Sequence, residues 1–265
     1  MIAIFRTCSI IIKTSIINTF FYRVPDMSEV KKRIAIIDAL RGIAVVLMVI
    51  HHLLYNLVYI IEVLPEWFFT NPIFDVLHYI FAGLFIFLSG ISSRFSHSNI
   101  KRGLIVIALA AGITIVTYYM EMPIWFGVLH LLGFSMLFFG LTKKIWDLIP
   151  RKASPVVFIS LIVASALAVA YIDITAENIF ARICLSVLGW PQFISYDYFP
   201  LLPWIFVFLL GTWAGMYIVE RKLPSWFYEA EVRFFPAVGR KALIIYILHQ
   251  PVLYGLVAAV KYLFL

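Results

Sequence analysis

Arg33-Ile-Ala-Ile-Ile-Asp38-Ala-Leu-Arg41-Gly42-Ile-Ala-Val-Val-Leu-Met-Val-Ile-His51-His52-Leu-Leu-Tyr55-Asn56 is long enough to cross a bilayer as a helix, yet past Arg33 it carries an acid, a base, two imidazoles and an amide. An ionisable side chain in hydrocarbon costs roughly 2.5–3.5 kcal/mol on insertion scales, so such groups turn toward a protein interior or a wet cavity. At about 100° per residue, with Asp38 at the origin, Arg41 falls at about −60°, His52 at about −40°, Asn56 at about 0° and Tyr59 at about −60°. Tyr55 falls at about −100° and His51 at about −140°, on the edge of the same stripe. A polar stripe on an otherwise apolar helix reads as a functional surface.

Outward from this stretch the whole chain has the same character. Of its 265 residues 63% are hydrophobic and 13% charged, and the mean hydropathy is +1.00. That composition excludes an ordinary soluble domain. Recurrent apolar runs of about 20 residues select helices over a β-barrel, whose strands read as alternating segments of about 10. The expected fold is an all-α polytopic transmembrane bundle with about seven spans, near 36–60, 73–92, 103–120, 124–142, 155–172, 201–219 and 241–262. Residues 178–190, ending Gly189-Trp190-Pro191, are too short to span and read as an interfacial or re-entrant helix.

Positive charge orients the bundle. With Lys31, Lys32 and Arg33 cytoplasmic, the basic residues at 94–102, 143–152, 221–222, 233 and 240–241 also fall inside, against Arg182 and Lys261 outside. Such asymmetry follows the positive-inside rule and places the C-terminus outside in a multi-pass cell-membrane protein. The net charge of +7 then reflects topology, not nucleic-acid binding. Residues 1–26 read as an N-terminal extension, with Met27 as the expected start and an amphipathic anchor or extra span as the alternatives. Residues 27–265 read as a single transmembrane domain. Cys8 and Cys184 suggest no disulfide framework.

In this orientation His52, His78, His130 and Asp197 lie in the exoplasmic half. Tyr246, His249 and Gln250 share one face of the last span at i, i+3 and i+4. Arg41 lies about 16 Å from His52 toward the cytoplasm, at 1.5 Å per residue. Two entrances follow: cytoplasmic bases for a phosphorylated donor, and an exoplasmic approach for an acceptor whose proton an imidazole can take. Acyl transfer from a thioester fits that arrangement. Structural readings stand beside this one. A lone His or Asn in a membrane helix often serves as an interhelical hydrogen bond worth about 1 kcal/mol, the simplest account of His78. Asp38 and Arg41 suit a local i, i+3 pair. Asp197 suits a cap for the sixth span with Pro200 in its first turn. Trp67, Phe68 and Phe69 suit an interfacial belt.

Several segments together resemble a family. Ile36-Ile37-Asp38-Ala-Leu-Arg41-Gly42 opens the first span and Phe85-Ile-Phe-Leu-Ser89-Gly90 ends the second. Phe126-Gly127-Val-Leu-His130 opens the fourth, and Asp197-Tyr198-Phe199-Pro200-Leu-Leu-Pro203-Trp204 the sixth. Gly239-Arg240-Lys-Ala-Leu-Ile-Ile-Tyr246-Ile-Leu-His249-Gln250-Pro251 opens the seventh. They resemble the heparan-α-glucosaminide N-acetyltransferase catalytic-domain family, in its short prokaryotic form. The Arg41-to-His52 spacing is similar to that of acyltransferase-3 type membrane proteins. The resemblance implies transfer of an acetyl or other acyl group from cytosolic acyl-CoA to a sugar or glycan across the membrane, with a cell-envelope sugar or lipid-linked saccharide as acceptor. The exoplasmic histidine of the family's animal enzyme, in the loop after the first span, has no counterpart in residues 60–72, and His52 stands where that enzyme has asparagine.

The expected roles are therefore these. His52 is the general base, steered by Asn56 or Asp197, with His130 as a further polar group of the site. Arg41, Arg240 and Lys241 meet the donor's phosphates, and Tyr246, His249 and Gln250 line its channel. No metal is expected, because His51 and His52 cannot reach one ion from one helix face. The partners are membrane lipids and a glycan; the sequence leaves a homo-oligomer open. A solute or proton-coupled transporter, and a non-catalytic scaffold, remain as alternatives.

Overall fold

The computed structural model describes residues 33–264, which are helical and contain no strand; the extension at 1–26 and Met27 lie outside them. Ala35–Leu265 forms one unit. Its helices are α1 (Ala35–Tyr59), α2 (Trp67–Thr70), α3 (Pro72–Arg94), α4 (Asn99–Tyr119), α5 (Val128–Trp146) and α6 (Ser154–Tyr171). There follow α7 (Ile179–Leu188), α8 (Trp204–Val219), α9 (Ser225–Glu229), α10 (Phe235–Arg240) and α11 (Ala242–Phe264). Six of these, α1, α3, α4, α5, α6 and α11, are long and apolar enough to cross a membrane. The seventh expected span is α8, a 16-residue apolar helix about 24 Å long at 1.5 Å per residue. Residues 178–190 form only the short helix α7, as their punctuation requires.

Local chemistry sets most boundaries. Asn71 caps α3 by accepting from the Ile73 N–H at 2.9 Å, and Pro72 supplies its first turn. Ser98 caps α4, and Asn178 caps α7. Two expectations fail here. α5 begins at Val128 rather than 124, because Pro123–Gly127 runs extended beside the loop preceding α8, with a parallel bridge between Phe126 and Tyr198 and a Phe199 N–H to Phe126 carbonyl bond of 2.8 Å. Asp197 does not cap α8. That helix starts at Trp204 behind Pro203 with no side-chain cap, and Asp197 is drawn away to α5.

The spans pack where glycine lets backbones meet. A Cβ on Gly90 of α3 would lie 2.1 Å from the Phe208 carbonyl oxygen of α8, and one on Gly211 would lie 2.1 Å from that of Phe87. Small residues at such crossings are the usual means of close approach between membrane helices. The same device seats α10 on the first half of α1: a Cβ on Gly239 would lie 1.8 Å from the Asp38 carbonyl oxygen. Between α5 and α8 the core is filled by Leu131, Phe139, Phe208 and Leu209, all buried.

The basic ends of the helices gather together. Arg94, at the end of α3, donates to the Thr212 carbonyl at 2.9 Å, pairs with Asp147 at 2.7 Å and lies over the Phe139 ring. Its side chain is only 7% exposed, so this pairing removes the cost of an isolated charge in a low-dielectric setting. Nearby, Glu220 joins Arg151 and Lys222 at the surface.

Candidate active site

The polar stripe of α1 faces α3 and α11. At one end Arg41 pairs with Asp38 at 3.1 Å, the local i, i+3 pair expected, and also donates to the Ser92 hydroxyl of α3. Ser92 gives its own proton to the Leu88 carbonyl at 2.8 Å, so its oxygen is free to accept. Arg102 of α4 is close enough to Arg41 for their charges to interact. Gly239 brings α10 against Asp38 and Gly42, which places Arg240 and Lys241, both exposed, beside this end of α1.

About three turns further along α1 the histidines assemble. Their ring centroids form a row across three helices: His78 to His51 at 4.4 Å, His51 to His52 at 5.7 Å, and His52 to His249 at 4.8 Å. A narrow cavity of about 40 Å³ runs beside the row from Ala44 and Met48 to His51, His52 and His78, closed by Val128, Asp197, Phe199 and Tyr246. His51 and His78 are the residues that the sequence reading left out of the site. Helical angles place His51 at the stripe's edge, and adjacency between α1 and α3 has no signature in either segment alone. Around the His51 end stand Phe69, at 5.1 Å, then Tyr55 and Tyr59. Trp67, Phe68 and Phe69 thus include a ring that packs on the site as well as an outward-facing belt. Among the described residues no cluster of His, Cys, Asp or Glu is arranged to hold a metal ion.

The α11 face is as its spacing predicts. The Tyr246 hydroxyl donates to Asp197 at 3.2 Å, His249 Nδ1 meets the Tyr246 carbonyl at 2.6 Å, and the Gln250 amide donates to Asn56 Oδ1 at 3.3 Å. Asn56 is fully buried. Three buried polar atoms here have no partner: Asn56 Nδ2, His249 Nε2 and Gln250 Oε1.

Asp197 belongs to the same wall. Its carboxylate packs on Gly127, where a Cβ would lie 2.6 Å from Oδ2. It accepts from the Val128 N–H at the start of α5 and from Tyr246. Asp197 therefore caps a helix other than the one its sequence position suggests. Burial pushes its carboxyl up to about 6, against the lowering effect of the Tyr246 hydroxyl and the Val128 N–H. His130 stands apart. Its Nδ1 accepts from the Gly127 N–H at 3.2 Å, and its Nε2 meets the Thr114 hydroxyl at 3.1 Å. Because Thr114 donates to the Ile124 carbonyl at 2.6 Å, its oxygen accepts from His130. Both ring nitrogens are thus engaged in joining α4, the 123–127 segment and α5.

Residues 33–251 match the family model described as heparan-alpha-glucosaminide N-acetyltransferase, catalytic. No curated protein and no solved structure matches the chain. The match covers most of the sequence, and the chain belongs to this family, which points to a membrane acetyltransferase.

Proposed function

We propose that this member of the heparan-α-glucosaminide N-acetyltransferase catalytic-domain family moves an acetyl or other acyl group from cytosolic acyl-CoA to a sugar or glycan acceptor at the exoplasmic face. The observation that carries the proposal is the cavity along α1. It runs from Ala44, about one turn from Arg41, to the histidine row, so in this reading a donor held at the Arg41 end and an acceptor from the opposite face meet at His52. Arg41 and Arg102 present like charges to each other, an arrangement that favours an anion between or beside them. With Arg240 and Lys241 they form the phosphate-binding end expected of a CoA site on the basic, cytoplasmic side. The rings of Phe69, Tyr55 and Tyr59 offer an apolar face for a sugar beside His51.

In this reading His52 takes the proton from the acceptor's hydroxyl or amine as that atom attacks the thioester carbonyl carbon. His52 then returns the proton to sulfur as the carbon–sulfur bond breaks, so acylated acceptor and free thiol leave together. Asn56 Nδ2, buried and unpartnered, supplies a donor for the charge that develops on the carbonyl oxygen. Asp197 and Tyr246 hold the opposite wall. His130 acts at one remove, by keeping α5 and its Val128 N–H in place beneath Asp197.

The test is acetyl-CoA turnover by the purified protein in liposomes, read as thiol release. His52→Ala is expected to lose roughly 10²–10⁴-fold, the usual contribution of a general base, with its melting temperature retained. Turnover unchanged in His52→Ala removes His52 from the chemistry. Absence of any acyl-CoA binding by the wild type sinks the acyltransferase reading. The single file of imidazoles would then speak for a proton-coupled transport path.

A further inference from the structure

We propose that His249 is a positioning residue that sets the tautomer of His52. The proposal rests on the acyl-transfer reading above for its catalytic consequence, and on hydrogen-bond geometry for the tautomer itself. His249 Nδ1 lies 2.6 Å from the Tyr246 carbonyl oxygen. A carbonyl can only accept, so Nδ1 carries the proton and Nε2 of the neutral ring holds a lone pair. That Nε2 is buried and has no partner. A buried acceptor left without a donor is unfavourable, and the ring beside it is that of His52, 4.8 Å away between centroids and inclined by 50°.

Rotation of His52 about its side-chain bonds brings one of its N–H groups to His249 Nε2, a contact of the kind that tightens when substrate fills a site. The nitrogen of His52 that donates this bond is the protonated one, and the other is left with the lone pair that a base needs. Polarity thus passes from the Tyr246 carbonyl through His249 to His52. The start of the chain is itself held: the Tyr246 hydroxyl is bonded to Asp197, and Asp197 to the Val128 N–H. The logic is that of a base oriented by a third group, with a main-chain carbonyl where a carboxylate more often stands. Asn56 Nδ2 is the competing donor, since it too is buried and unpartnered.

The experiment compares wild type, His249→Gln and His249→Asn in liposomes, with histidine rings labelled in ¹⁵N. Gln places an acceptor oxygen where Nε2 sits; Asn keeps a donor where Nδ1 sits and removes that acceptor. Wild type and His249→Gln are expected to show His52 in one tautomer, and His249→Asn a mixture of both. In the same preparations kcat for thiol release is expected to fall on the order of 100-fold in His249→Asn and several-fold less in His249→Gln, with KM for acetyl-CoA little changed. A His52 tautomer that is the same in all three overturns the proposal and gives the contact to Asn56. So does a His249→Asn enzyme as fast as wild type. A wild type that turns over no acetyl-CoA defeats the acyl-transfer reading instead, and the nitrogen spectra still decide the tautomer.

Discussion

The α3–α8 crossing and the histidine row, which α3 enters only through His78, treat polar groups in opposite ways. At the crossing, backbones touch through Gly90 and Gly211, and Arg94 spends its donors on Thr212 and Asp147. At the row, His249 Nε2, Asn56 Nδ2 and Gln250 Oε1 stay buried and unpartnered. A fold able to satisfy a guanidinium inside its bundle leaves these three atoms open on α1 and α11, next to His52, whose ring lines the cavity. The difference separates the part of the molecule that holds the helices together from the part shaped for something that arrives later.

Substitutions sharpen that contrast in a definite order. The largest stability effect belongs to the crossing: Gly90→Val places a branched side chain against the Phe208 carbonyl and is expected to cost about 3 kcal/mol, read as a fall in melting temperature in detergent. If the protein tolerates it, the crossing is looser than its geometry. Next comes Asp197. Its folded-state pKa of about 6 lies above the ordinary 3.8, so the folded protein holds this proton more tightly. The stabilisation is present below about pH 4 and is lost as pH rises toward 6. Asp197→Asn removes that slope, so the melting temperature of wild type relative to the variant should decline between about pH 4 and pH 7. A difference that is flat across that range breaks the assignment.

Smaller still in stability is the double change Asn56→Leu with Gln250→Met. Replacing two incompletely bonded groups by apolar ones of similar size is nearly neutral, so stability should move by less than about 1 kcal/mol, while acetyl-CoA turnover falls roughly 10²–10³-fold. A large loss of stability instead would place both amides among the structural contacts. The least effect is expected at Glu220→Gln. Hydrogen bonds from Arg151 and Lys222 hold the Glu220 carboxyl down at about 2, so its contribution exists above the ordinary 4.5 and fades as pH falls toward 2. The pair is exposed and screened by salt; at pH 7 the variant should melt closest to wild type of the four.

Much of this architecture is written in local sequence. Apolar runs bounded by Asn71-Pro72, Ser98 and Asn178 announce where helices begin, and the i, i+3, i+4 spacing of Tyr246, His249 and Gln250 announces a shared face. What local sequence does not carry is adjacency between segments. His51 and His78 are neighbours only because α1 and α3 pack side by side. Asp197 precedes Pro200 as a cap would, yet the loop from 189 to 203 docks on 123–127, and α5 receives the carboxylate. His130 has the look of a site residue until Thr114 and Gly127, from either side, occupy both its nitrogens.

The seat of α10 on α1 has a consequence for inheritance. Every single-base change that alters a glycine codon adds at least a Cβ or ends the chain, and at Gly239 that carbon falls 1.8 Å from the Asp38 carbonyl oxygen. Position 239 therefore has no one-step neighbour in the genetic code that preserves the approach. A lineage that loses this glycine keeps Arg240 and Lys241 in its sequence but not at their distance from Arg41, and only a compensating change on α1 or a reversion brings them back.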